Sequence, residues 1–211
     1  MKDLILVGAS GLAREVISAS QNDYRVVGIV DDDADLHGTF VGGVEVLGAV
    51  APATEFDALL LICIGSGQAR RSVASRLASL GVADDRFATV VDGSVRVPPT
   101  CSIGVGSILL AQVALTDSVG IGRHVVLMPN VTATHDDRLG DFATLTAGVS
   151  LGGSVSIGDG AYVGMNASIR QGVTIGVDSI VGMGAAVLHD VPAGEVWAGV
   201  PARSIADRRR A

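Results

Sequence analysis

From Ser102 to Val191 the chain repeats every six residues. Cut into sixes it reads SIGVGS, ILLAQV, ALTDSV, GIGRHV, VLMPNV and onward to AVLHDV, fifteen units without a gap. The second position is Ile, Leu or Val except at Ala133, the third is glycine in eight units, and the sixth is Val, Ala or Ser except at Asp137. A helix repeats at about 3.6 residues and a flat strand at about 2, so neither demands one aliphatic in six. A solenoid with three short faces per coil does. Each aliphatic then points inward and stacks on its equivalent in the next coil, and the third-position glycines are expected to permit the corners. Five coils at strand spacing give a prism roughly 24 Å tall. Val113, Val125, Val131 and Val149 are read as apolar residues on its outer faces, suited to burial against other copies.

Residues 3–95 follow another rhythm. Leu4–Val7 is an apolar strand entering Gly8-Ala9-Ser10-Gly11, and a helix follows from Leu12 to about Ser20. A second strand, Arg25–Val30, ends in Asp31-Asp32-Asp33. A third, Ala58–Ile64, ends in Gly65-Ser66-Gly67 and precedes a helix with Val73, Leu77 and Leu80 on its apolar side. Strand, glycine turn and helix occurring twice predict a parallel sheet with crossover helices. Pro98-Pro99 suits neither a helix nor a central strand and marks the join. The expected division is a Rossmann-like α/β domain over 1–95 and a β-helix over 96–211. The first caps one end of the prism; residues 192–211, with Trp197 and the terminal arginines, cover the other.

Composition narrows the function. The net charge is −7 and aromatics are 3% of the chain, which disfavours nucleic acid, since phosphates need a basic face and bases need stacking partners. The longest apolar run, Ala58–Ile64, is far short of the roughly 20 residues of a membrane span. The N-terminus lacks the pattern of a signal peptide. Cys63 and Cys101 show no spacing motif, as for free thiols in a reducing compartment. A soluble, cytoplasmic protein is expected.

Thr132-Ala133-Thr134-His135-Asp136-Asp137 breaks the repeat twice, and local rules fail preferentially where function resides. His135 offers an imidazole that works near neutral pH, and Asp136 a carboxylate to orient it. A solvent-facing corner that tolerates polar residues is the competing reading. His124 reads as an exposed side chain, His37 as a loop residue and His189 as part of the last coil. No Cys/His spacing matches a metal site, so no metal is expected. The Gly8–Gly11 turn presents N–H groups at a helix start, as for a phosphate. Only one of the three glycines of the dinucleotide fingerprint is present, which argues against NAD.

Taken together, these motifs resemble a known family. The array, with Asp190-Val191-Pro192-Ala193-Gly194 and Gly199-Val200-Pro201-Ala202-Arg203 at its end, resembles the left-handed β-helix acyltransferases. With Gly8-Ala9-Ser10-Gly11, Arg14-Glu15, Val30-Asp31-Asp32 and Ile64-Gly65 preceding it, the whole chain resembles the sialic acid O-acetyltransferase-like sugar acyltransferases, which include bacterial UDP-4-amino-sugar N-acetyltransferases.

The resemblance implies acetyl-CoA as donor, a nucleotide-linked amino sugar as acceptor, and a homotrimer with sites between subunits. It implies His135 as base, Asp136 as its orienting partner and the Gly153 N–H at the thioester carbonyl. Thr144, Met165 and Met183 fall on coenzyme positions. Ser10, Gly11, Leu12, Asp31, Asp32 and Gly65 fall on acceptor positions. Thr144 stands where close relatives carry a second histidine near the thioester. Three other readings stay open: an O-acetyltransferase, a nucleotide-binding oxidoreductase with the solenoid as a stem, and a sugar-nucleotide sensor.

Overall fold

A computed structural model describes residues 1–205, so the terminal arginines lie outside the described residues. The N-terminal unit comprises strands β1 (Lys2–Val7), β2 (Tyr24–Val30), β3 (Phe40–Val41), β4 (Val44–Gly48) and β5 (Leu59–Ile62), with helices α1 (Gly11–Ala19) and α2 (Gly67–Ser79). The spatial order is β3-β4-β2-β1-β5. β1 runs parallel to both β2 and β5, and β2 parallel to β4. The β3–β4 hairpin is an addition to the expected elements; its Gly42-Gly43 turn has positive φ at both residues, the backbone twist that two-residue hairpin loops favour.

Side chains alternate along β1. Leu4 and Leu6 pack with Leu12, Ala13 and Val16 of α1, while Ile5 and Val7 pack with Ala74 and Leu77 of α2. The buried face of α2 consists of Gly67, Arg70, Ala74 and Leu77, and Leu80, expected on it, is half exposed. The buried face therefore runs toward the start of the helix, where it includes an arginine, rather than on to Leu80.

The repeat folds as a parallel β-helix of two-residue strands, each hydrogen-bonded to its equivalent one coil later, as Val126–Leu127 pairs Thr144–Leu145. The second-position aliphatics from Leu109 to Val187 are buried in one continuous core. Val113, Val125, Val131 and Val149 belong to that core too, so their assignment to outer faces is corrected. A sixth-position side chain turns inward at the corner and is stacked there.

The role of the third-position glycines also differs from expectation. None has positive φ; a Cβ on Gly104, Gly158 or Gly164 would instead lie about 2.5 Å from backbone atoms of the next coil. The left-handed residues sit at the fifth position: Gln112, Ser118, His124, Asn130, Asp136, Phe142, Ser154, Asn166 and Asp178 all have φ between 53° and 65°. Where glycine holds position three it serves closeness to the next coil, and at position five it is dispensable, since other residues there accept the left-handed backbone.

The α/β unit does not cap the prism. It lies along one face, the sheet built on Ile108–Leu109, Val126–Leu127, Thr144–Leu145, Tyr162–Val163 and Ile180–Val181, and β6 (Val90–Val91) extends this sheet at its edge. Ile108 and Val126 share a core with α1. Val91, Val95, Cys101 and Ile103 pack against the prism core at its first coil, and Val196–Ala198 with Trp197 covers the last.

Candidate active site

His135 and Asp136 form the corner after strand Thr132–Ala133, on the prism edge opposite the face that carries the α/β unit. Asp136 is one of the left-handed residues, with φ 65°, and its Oδ2 lies 2.9 Å from His135 Nδ1. Both side chains are 57% exposed, so substrate can reach them. With Nδ1–H held by the carboxylate, Nε2 keeps its lone pair. One coil on, Gly153 lies under the ring: a Cβ there would collide with His135 Cε1 and Nε2. Ser154 N–H donates to the His135 carbonyl at 2.8 Å, fixing the two corners one above the other. An imidazole, its orienting carboxylate and a backbone amide without a bulky side chain are the parts of a general base beside an oxyanion donor.

Thr144 is not available to such a site. It is fully buried between prism and α/β unit, donating from Oγ1 to the Gly65 carbonyl at 3.0 Å and accepting from Arg70 at 2.9 Å. Its placement as a coenzyme contact is therefore corrected: the α/β unit covers that face. Met165 and Met183 are exposed, stacked one coil apart at the corner between the covered face and the face of Thr132–Ala133. Within one chain they do not share a corner with His135.

The acceptor positions occupy the carboxyl ends of β1, β2 and β5, where open α/β sheets bind ligands. Ser10 caps α1, accepting from Leu12 N–H and Ala13 N–H, and donates to the Cys63 carbonyl at 2.7 Å, which ties the first turn to the third. Asp31 accepts from Ala9 N–H at 2.7 Å and from Asp33 N–H at 2.9 Å. Asp32 accepts from Val50 N–H and pairs with Arg76 of α2. Leu12 is buried in the core, leaving its backbone alone for contact. Ser10 and Gly11 line a cavity of about 240 Å³ with Arg14, Phe40 and Gly42, and Gly65 lines one of about 390 Å³ with Gln68, Met128, Tyr162 and Ile180. Another cavity, about 500 Å³, lies at the amino ends of the strands around Asp3 and Arg25, away from all these groups.

Two groups escaped the sequence. Arg70 is fully buried without a carboxylate, donating to the carbonyls of Ile64, Gly65, His124, Phe142 and Ala143 and so riveting the two units together. Burial draws its pKa down to about 10, which leaves it charged at neutral pH. His124 is fully buried rather than exposed, stacked on Phe142 at 5.1 Å and edge-on to Phe87 at 4.7 Å, with neither ring nitrogen bonded. Burial, with Arg123 and Arg70 nearby, lowers its pKa to about 4. Aromatic partners distant in sequence explain why the repeat alone misplaced it.

Comparison with known proteins agrees with this architecture. Residues 3–77 match the PglD N-terminal domain. A UDP-N-acetylbacillosamine N-acetyltransferase of Bacillus subtilis is 34% identical over 120 residues, which cover 53% of this chain and 52% of that protein, so the match spans about half of that relative. PerB from Caulobacter crescentus, solved with CoA and GDP-perosamine, is 31% identical over 97% of both chains with a TM-score of 0.88. The acetyltransferase domain of PglB from Neisseria gonorrhoeae, solved with acetyl coenzyme A, is 26% identical over 97% of this chain and 99% of that one, with a TM-score of 0.86. A Rossmann-like domain followed by a left-handed parallel β-helix, aligned along almost its whole length with such a relative, shows that the chain belongs to the sialic acid O-acetyltransferase-like family of sugar acyltransferases.

Proposed function

We propose that this protein is an acetyl-CoA-dependent N-acetyltransferase acting on a nucleotide-linked amino sugar, working in the cytoplasm in bacterial glycan synthesis. The observation that carries the reading is the His135–Asp136 pair, 2.9 Å apart, standing over Gly153. His135 Nε2 takes a proton as the sugar amine attacks the acetyl thioester, and Asp136 steadies the imidazolium that results. The Gly153 N–H donates to the oxygen on which negative charge develops. The C–N bond forms, the C–S bond breaks, and the His135 imidazolium returns its proton to the departing sulfur, so that CoA leaves as the thiol. Holding both substrates in one cleft supplies much of the rate, with no covalent enzyme intermediate. Residues 1–95 select the acceptor and 96–211 carry the coenzyme and the chemistry.

The same geometry supports a shared site. The acceptor turns belong to a unit seated on one prism face, and His135 stands on the edge opposite that face. A homotrimer in which one copy's α/β domain approaches its neighbour's His135 edge brings them together. The exposed Met165, Ile180 and Met183 replace the interior valines as apolar surface for that assembly. The test is thiol release from acetyl-CoA across a panel of nucleotide sugars bearing an amine or only hydroxyls. Release with an amino sugar and its N-acetyl product by mass spectrometry support the reading. Release with hydroxyl sugars alone makes it an O-acetyltransferase, and sugar binding without release makes it a sensor.

A further inference from the structure

Asp137, the second break in the repeat, sits where neighbouring coils carry Val119 and Val155, and it is fully buried inside the prism. In regular corners the third-position N–H donates to a strand carbonyl of the next coil, as Gly122 does to Leu139 and Gly140 to Ile157. The sixth-position N–H closes the turn on the carbonyl three residues back, as Ala143 does on Gly140 and Ala161 on Gly158. Both bonds are diverted here. Thr134 N–H donates to Asp137 Oδ2 at 2.7 Å, and its hydroxyl takes over the Leu151 carbonyl at 3.2 Å. Val155 N–H donates to Asp137 Oδ1 at 2.8 Å in place of the turn bond to Gly152. The ladder records the change: this coil keeps only the Thr132–Ser150 pair with the next, where other neighbours on the same sheet pair at two residues.

One carboxylate thus holds two backbone donors, Thr134 N–H in the turn that carries His135 and Val155 N–H in the turn that carries Gly153. A charged acceptor forms shorter and stronger bonds than the carbonyls it displaces. Rigidity at this point has catalytic value, because an error of about 1 Å between base and oxyanion donor costs on the order of a hundredfold in rate. We propose that Asp137 is a positioning residue that fixes the His135 turn and the Gly153 turn to each other, so that base and oxyanion donor keep their spacing. The inference rests on the roles proposed above for His135 and Gly153. A side chain buried for stability would be the repeat's own valine, and that is the substitution to make.

Asp137→Val and Asp137→Asn are compared with His135→Ala for kcat, both KM values and melting temperature. The expected result for Asp137→Val is a melting temperature equal to or above wild type, a fall in kcat of about ten- to a hundredfold, and KM values within about twofold. Asp137→Asn, which keeps one acceptor, falls less than Asp137→Val. Wild-type kcat in a folded Asp137→Val protein overturns the proposal while a dead His135→Ala leaves the base assignment standing. Full activity in His135→Ala removes the base assignment and the proposal with it. Should Asp137→Val fail to fold, Asp137→Asn decides: unchanged kcat overturns positioning, and reduced kcat at unchanged KM supports it.

Discussion

His124 and Asp137 give the protein two opposite pH responses in the same window. The His124 pKa falls from 6.5 to about 4 on folding. Its contribution to stability is complete above the unfolded value and is lost as pH drops toward the folded one. Burial pushes the Asp137 carboxyl up from 3.8 to about 6, against two backbone N–H bonds and with His135 and Asp136 in the same turn. Its contribution is complete below the unfolded value and is lost as pH rises through the folded one. Each shift corresponds to about 3 kcal/mol. Between pH 6.5 and 4 the two slopes oppose, so wild-type stability is nearly flat there. His124→Phe keeps an aromatic ring against Phe87 and Phe142 and removes one slope. Its unfolding free energy is expected to rise by about 3 kcal/mol as pH drops from 6.5 to 4. Asp137→Val is expected to fall by a similar amount. Arg25 holds Asp3 low and Ser94 holds Asp92 low, while Arg76 does so for Asp32 despite partial burial, so these groups act toward the acid end of the window and below it. Urea unfolding at fixed protomer concentration across this range is the assay. A flat profile in His124→Phe refutes the compensation.

Three further outcomes follow from the site. His135→Ala is expected to lose about 10²–10⁴-fold in kcat with the melting temperature unchanged, and Asp136→Asn to lose less; retention of more than about a tenth of the rate removes the base role. Gly153→Ala drives a methyl into the imidazole, so kcat drops by a hundredfold or so while the exposed ring swings clear and the fold survives; an active Gly153→Ala enzyme contradicts the placement. Thr144→Val strips the Gly65 carbonyl of one donor and Arg70 of one acceptor, raising the acceptor KM with the acetyl-CoA KM unchanged; the reverse pattern reinstates Thr144 as a coenzyme contact.

The periodic parts of the molecule were legible because burial imposes a period. One inward aliphatic per six residues defines the prism without any knowledge of the partner strand. The same rule pointed to Thr132–Asp137 because two of its six positions disobeyed. What stayed hidden depends on contacts between elements remote in sequence. Arg70 is a charge on a helix with no sequence-local partner, and the carbonyls of His124, Phe142 and Ala143, brought to it by the prism, join those of Ile64 and Gly65 in making its burial tolerable. Val125 and Val131 read as surface because a six-residue repeat does not say that two positions in each unit turn inward. Thr144 reads as a lost histidine in sequence, but the α/β unit lies over it. Asp137 stands out as an error in the repeat, but the bond it accepts from Val155 exists only between coils.

The arrangement of the two units makes a last prediction possible. If His135 of one copy serves the acceptor domain of its neighbour, two inactive variants restore each other. Gly11→Trp fills the cavity beside Ser10 and Arg14, and it is tolerated locally because the nearest group a Cβ meets there is Arg14 Nη2 at 3.9 Å. Combined with His135→Ala in one trimer, the Gly11→Trp chain contributes an intact base and the His135→Ala chain an intact acceptor domain. Random mixing gives each site an even chance of each requirement, so about a quarter of the sites are whole in a cyclic assembly. Coexpression with two different tags and tandem purification isolates the mixed trimers. Once pure trimers are discarded, every mixed trimer holds one whole site in three, so kcat per site is expected at about a third of wild type, while each parent alone is dead. A site contained within one subunit gives mixed trimers no activity above their parents, and that result would dismantle the shared-site reading.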